Sequence, residues 1–263
     1  MWWGRTFKSM EDGRFGKGKK VKKVLCIVQA RLTSSRLPDK VIMPLAGKTI
    51  AEHVFERLSL SRHIDKVVFA IPTGERNDEL EQFLEERGIP SFRGSEDNVQ
   101  ERFIGCIREY RPEIVVRATS DNPFVDWEQA DRQIEGLEDC DYVSSEGAPL
   151  GTGVEVFYAE GLEEAYRLAE SDREREHVTP YLYTHPERFR VKRVPYHLKL
   201  DGSYRLTVDT DHDYALAQRI YEALYDGKPI ANERIYTWLA EHPEVSHLND
   251  DVEQKEGDLI AKR

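Results

Sequence analysis

Three cations and three hydroxyls crowd into about a dozen residues at Gln29-Ala30-Arg31-Leu32-Thr33-Ser34-Ser35-Arg36-Leu37-Pro38-Asp39-Lys40. Arg31, Arg36 and Lys40 repel one another unless an anion lies among them. Guanidinium forks and an ammonium bond phosphate oxygens with charge assistance. Ala30, Arg31, Ser35, Arg36 and Lys40 are therefore the expected contacts of a triphosphate, with a merely solvated basic loop as the plain alternative. Two glycine-bearing stretches carry no such chemistry. Gly47-Lys48-Thr49 looks like the end of a phosphate-binding P-loop, but Ile42 stands where its first glycine belongs. In Gly151-Thr152-Gly153, Val156 takes the place of the third glycine of a dinucleotide fingerprint.

Such a loop works only if rigid elements hold it. Just before it, Val24-Leu25-Cys26-Ile27-Val28 is an unbroken apolar run, the pattern of a strand buried on both faces. Thr49-Ile50-Ala51-Glu52 is a capping box with Ile50, Val54 and Leu58 at helical spacing, and 65–71 returns to strand character, completing a β–α–β unit. A second helix is expected from a cap at Asn77 to Gly88, a third from near Ser95 through Val99, Phe103 and Ile107, and a further buried strand over 114–118. This alternation predicts an α/β protein: a mixed, mostly parallel sheet with helices on both faces and ligands at the strand ends. Beyond Gly151 the rhythm loosens. It predicts a strand over 154–158, helices over 162–169 and 173–183, strands over 190–194 and 204–208, and a helix opening on Thr210-Asp211-His212-Asp213.

The 263 residues carry 38 Lys+Arg against 49 Asp+Glu, a net charge of −11, with 39% hydrophobic content. That is enough to bury a core, and no apolar run is long enough to cross a bilayer. The overall charge repels nucleic acid. Only the first 23 residues, where lysines and arginines sit among glycines, are strongly basic. We expect a flexible arm at 1–22, one domain over 23–245 and a charged tail at 246–263. Nothing at the amino terminus reads as a secretory signal, and Cys26, Cys106 and Cys140 have no metal or disulfide spacing, which predicts a cytoplasmic protein.

The loop motif, Gln29-Ala30-Arg31 through Ser35-Arg36-Leu37-Pro38 to Lys40, resembles the nucleotide loop of the sugar-acid cytidylyltransferases, which include CMP-KDO synthetase and CMP-sialate synthetase. The spore-coat-polysaccharide type is the nearest in appearance. The resemblance continues in order through Phe92-Arg93-Gly94-Ser95-Glu96-Asp97, Arg117-Ala118-Thr119-Ser120-Asp121-Asn122-Pro123-Phe124-Val125-Asp126, Glu176-His177-Val178-Thr179 and Leu206-Thr207-Val208-Asp209, roughly over 23–225. Asn98 and Asn122 depart from the family's pattern.

The resemblance implies a Rossmann-like nucleotidyltransferase fold related to GT-A glycosyltransferases, with Mg²⁺ between Asp121 and Asp209. Carboxylate oxygens at strand ends suit that ion. The expected reaction is transfer of CMP from CTP to a sugar acid of the 3-deoxy-2-keto type with release of pyrophosphate. Arg31, Arg36 and Lys40 would hold the triphosphate, and Arg93, Gly94, Ser95 and Arg102 would wall the base. Glu155 and His177 would orient acceptor hydroxyls, and Arg205 would hold the acceptor carboxylate. Asp126 is expected to cap a helix, and Tyr181 and Tyr183 to pack. A homodimer is expected, with 154–158 and 196–200 exposing apolar side chains. The alternatives are a GT-A glycosyltransferase using Asp209-Thr210-Asp211, and a non-catalytic nucleotide-binding module. With no ligand present, the three cations and the two aspartates should each form a self-repelling cluster.

Overall fold

The strand that must be covered on both faces is covered. In the computed structural model, which describes residues 22–34, 36–200 and 202–253, Leu25 and Ile27 of β1 (Val24–Gln29) face one core, and Cys26 and Val28 face the other. Residues 1–21 of the expected 1–22 arm, Ser35, and residues 254–263 of the expected tail lie outside the described residues. After the basic loop, β2 (Pro44–Leu45) and β3 (Lys48–Thr49) form a small hairpin leading into α1 (Ile50–Leu58). Thr49 and Glu52 make the predicted capping box. Then come β4 (Lys66–Pro72), α2 (Asp78–Glu86), β5 (Ser91–Gly94), α3 (Val99–Tyr110), β6 (Ile114–Thr119) and α4 (Trp127–Glu135). The later chain supplies β7 (Tyr142–Glu146), β8 (Glu155–Tyr158), α5 (Ala159–Leu168), α6 (Asp172–His177), α7 (Pro180–Thr184) and β9 (Val191–Pro195). It closes with α8 (Asp211–Leu224), α9 (Asn232–Glu241) and α10 (Pro243–Ser246).

The seven-stranded sheet runs β5-β4-β1-β6-β8-β7-β9. β5, β4, β1 and β6 are parallel, β8 is antiparallel to β6 and to β7, and β9 is parallel to β7. This is the expected mostly parallel, doubly covered α/β sheet. The chain builds β4 and β5 on one side of β1 and then β6 on the other, and this switch point places a crevice beyond the carboxyl ends of β1 and β6.

Three expected elements differ. α3 begins at Val99 because Asn98, not Ser95, caps it, accepting from Glu101 N at 2.9 Å. The helix expected over 173–183 is two helices broken at Val178. The strand expected over 204–208 joins no sheet; it is an extended passage tied to loops, with Leu206 N donating to Leu150 O at 2.7 Å and Val208 N to Asp121 O at 2.8 Å. Gly151 makes that seam possible. It has φ 93°, and a Cβ there would lie 2.3 Å from the Thr207 nitrogen.

One fully buried charge ties distant parts together. Arg57 of α1 donates to the carbonyls of Val125 (2.8 Å) and Ile230 (2.6 Å), reaches the Asn232 side chain, and lies over the Trp127 ring. Burial pulls its pKa down from the usual arginine value. Over 246–253 the chain remains attached: Asn249 is 3% exposed and donates to Arg205 O and to Asp213 Oδ1 at 3.0 and 2.7 Å.

Candidate active site

The loop after β1, the end of β6 and the 204–209 passage meet at one point. Lys40, in a short helical turn, places Nζ 2.7 Å from Asp121 Oδ2 and 2.7 Å from Asp209 Oδ1. Arg36 lies 3.0 Å from Asp209 Oδ2. Contrary to the expectation from the sequence, Lys40 and Arg36 therefore do not join a self-repelling cluster, nor do the aspartates; they neutralise one another. Burial disfavours the Lys40 ammonium, but Asp121 and Asp209 outweigh it and hold its pKa above the ordinary lysine value. Burial likewise opposes the Asp121 carboxylate, and Lys40, with a bond from Thr119 Oγ1 (2.6 Å), still keeps it below the usual range.

Above this point opens a cavity of about 490 Å³. Ala30, Arg31, Arg36, Lys40, Arg102 and Asp121 line one end. At the other, Arg117 of β6 pairs with Glu155 of β8, directly opposite in register, and donates to Gln29 Oε1 at 3.0 Å. Glu155 also accepts from the Tyr142 hydroxyl and from Thr179 Oγ1 (2.9 Å). Burial and the Glu155 charge push the Tyr142 pKa well above its ordinary value. Glu176, His177, Thr179 and Tyr183 complete this wall. One end is thus rich in charged side chains. The other is a neutralised, hydrogen-bonding surface suited to hydroxyls.

Residues 25–237 match the family model described as cytidylyltransferase. The chain belongs to the cytidylyltransferase family. It is 35% identical to the Methanocaldococcus jannaschii protein MJ1063, with 89% of this chain and 97% of that one covered. To the spore coat polysaccharide biosynthesis protein SpsF of Bacillus subtilis it is 34% identical, covering 85% and 96%. Among solved structures it is similar to a cytidylyltransferase from Leptospira borgpetersenii, with a TM-score of 0.80, 26% identity, and 86% and 97% of the two chains covered.

As a cytidylyltransferase, the chain places its expected site residues unevenly. Glu155 and His177 line the cavity. Arg205 is not among the residues that line it. Its guanidinium is spent on Asp213 (2.8 Å) and on Asp209 Oδ2 (3.0 Å), so it braces Asp209 from behind. Of the four residues expected to wall the base, only Arg102 lines the cavity. Arg102 is itself tied to the Ser95 and Ala70 carbonyls, and burial, then the neighbouring Arg31 charge, brings its pKa down to about 10. Arg93 points elsewhere, paired with Asp78 and Glu81. Gly94 has a packing reason: a Cβ there would meet Arg102 Cγ at 2.7 Å. Ser95 holds the turn before α3, accepting from Asn98 N.

Asp126 caps α4 as expected, accepting from Glu128 N and Gln129 N, and also from the Tyr196 hydroxyl. Asp211 is exposed on the first turn of α8, so Asp209-Thr210-Asp211 delivers one carboxylate to the crevice and not two. Tyr183, expected to pack, and Arg117 and Gln29 join the site; in the sequence Arg117 is one more residue of a strand motif.

Proposed function

We propose that this cytidylyltransferase transfers CMP from CTP to a sugar acid of the 3-deoxy-2-keto type, releasing pyrophosphate, with Mg²⁺ held by Asp121 and Asp209. The observation that carries this reading is the Lys40 ammonium lying between those two carboxylates directly beneath the basic loop. Two hard oxygen donors already converge on one cationic centre, and Thr119 fixes Asp121 Oδ1 so that Oδ2 faces it. That donor set fits a magnesium ion. When bound, the ion would polarise the α-phosphate.

The chain's own residues do the remaining work by placement and charge. Arg31, Arg36 and Lys40 bind the triphosphate and offset charge on the departing pyrophosphate. Arg205, neutralised by Asp213, keeps Asp209 Oδ2 engaged so that Oδ1 faces the crevice. Glu155, His177 and Thr179 orient the acceptor. Thermal-shift measurements with the four nucleoside triphosphates and Mg²⁺, then pyrophosphate release with 3-deoxy-2-keto acids, test the reading. Selective stabilisation by CTP and release dependent on the acid are expected; equal response to all four nucleotides, or release without the acid, would overturn it.

The enzyme is proposed to act as a homodimer and in the cytoplasm. The exposed outer strand β9, with Val191 37% exposed, supports the first. No helix among the described residues is long and apolar enough to cross a membrane. Light scattering that gives only the monomer mass would remove the dimer.

A further inference from the structure

The break between α6 and α7 is not an ordinary helix end. Val178 has φ 71° and ψ −57°, and Thr179 N donates to His177 O at 2.9 Å across it. That is a γ-turn of the rare, strained hand, here on a β-branched residue that is fully buried. Nothing in the residue type favours it. The flanking residues explain its place: His177 and Thr179 both line the cavity, and Thr179 Oγ1 donates to Glu155.

A strained turn persists only where its surroundings over-determine it. Here the Val178 carbonyl accepts from Gln100 Nε2 at 2.9 Å. Gln100 lies on the first turn of α3 and is 0% exposed, and its Oε1 has no partner among the described residues. A buried amide whose acceptor goes unmatched is costly, so its donor must matter. The amide orientation is fixed by its partner, because a carbonyl can only accept. An apolar side chain at 100 would leave the Val178 carbonyl bare.

We propose that Gln100 is a positioning residue for the acceptor end of the cavity: its amide holds the Val178 turn in the strained form that presents His177 and Thr179 to the substrate. The inference rests on reading that end as the acceptor site. The same helix carries Arg102, on the nucleotide side of the cavity, so α3 touches both halves through different residues.

The test compares Gln100→Met, Val178→Gly and the double variant. Pyrophosphate release with CTP and 3-deoxy-manno-octulosonate as probe gives the two KM values, and hydrogen exchange is followed over 172–184. Gln100→Met should raise KM for the acid about fivefold to thirtyfold, leave KM for CTP unchanged, and speed exchange around 178. Adding Val178→Gly should restore part of the acid KM, because glycine takes a positive φ without strain. Equal rises in both KM values, or no rescue by glycine, would reduce Gln100 to packing and overturn the proposal. Should the wild-type enzyme release no pyrophosphate with this acid, the acceptor assignment fails on its own. Exchange then decides Gln100: faster exchange over 174–184 in Gln100→Met keeps the positioning role, and unchanged exchange ends it.

Discussion

The two ends of the cavity solve different problems with the same kinds of residue. At the nucleotide end, cations and carboxylates from three separate segments meet as point charges: Lys40 between Asp121 and Asp209, with Arg36 and Arg205 sharing Asp209 Oδ2. At the acceptor end Arg117 and Glu155 are already paired with each other, and Gln29, Tyr142 and Thr179 occupy much of their remaining bonding capacity. On the proposed reading the first arrangement exchanges partners when a polyphosphate arrives. The second keeps its partners and offers a shaped, hydrogen-bonding wall. Substitutions at the first end should therefore act on nucleotide and turnover, and those at the second on the acceptor alone.

The strongest way to break this contrast is at the aspartates. Asp121→Asn and Asp209→Asn should each lower turnover by about a hundredfold or more, the scale on which one preorganised electrostatic group acts. The double variant should be scarcely worse than either single one, because both work on one centre. Near-normal turnover in Asp209→Asn would separate the two residues and end the shared-site reading.

Lys40→Ala comes next. A charge-assisted phosphate contact contributes about 1.5–3 kcal/mol, so the triphosphate should bind about 10- to 150-fold more weakly. The same change leaves Asp121 and Asp209 facing each other in the empty enzyme, so the melting temperature should also fall. Removing a cation from a purely repelling cluster would have raised it. An unchanged or higher Tm in calorimetry would show that the pairing contributes nothing.

Glu155→Gln probes the other end. It strips the countercharge from Arg117 and should raise the acceptor KM about tenfold, the effect of losing one bond to a charged group, while KM for CTP stays fixed. A rise in both would merge the two ends into one.

The pH dependence of the empty enzyme is a smaller effect and reports on the nucleotide end. Asp121 and Asp213 sit below the usual carboxylate range when folded, despite burial, because of Lys40, and of Arg205 with Asn249. Groups lowered in the folded state stabilise it above their unfolded pKa, and the gain is lost as pH falls through the folded value. The Tm should therefore drop steeply below about pH 4. Lys40, raised in the folded state, contributes below the lysine range and is lost only in strong alkali. A Tm that is flat down to about pH 2 would contradict the acid side. Deleting residues 1–21 should change least: CTP binding and Tm are both expected to stay where they are.

The nucleotide end was readable in the sequence because its residues come as a dense local motif after an unmistakable buried strand, and because Asp121 and Asp209 each close an apolar run. The acceptor end was harder. Arg117 and Gln29 sit on strands whose neighbours are apolar, and only the register of β6 against β8 reveals that Arg117 faces Glu155. The bracing contact of Arg205 was not legible, because its partner Asp213 lies eight positions on, in the first turn of the following helix. The helix break at Val178 carried one available signal: Pro180 stands at the first position of α7, where proline opens a helix and cannot continue a preceding one. It carried none for the strained turn itself, which is imposed from α3 by Gln100.

Arg57 gives the molecule a cross-brace. Its guanidinium joins α1 to the loop that follows Asp121 and to the start of α9, all within apolar surroundings. The last two helices cannot peel away alone, since that would strand a charge in the interior at a cost far above the contacts saved. The carboxyl-terminal third is therefore no appendage to the sheet. On the proposed reading it opens together with the loop that follows Asp121, so an event that loosens it, whether heat, a protease or a truncation near residue 230, is expected to lower activity at the same moment.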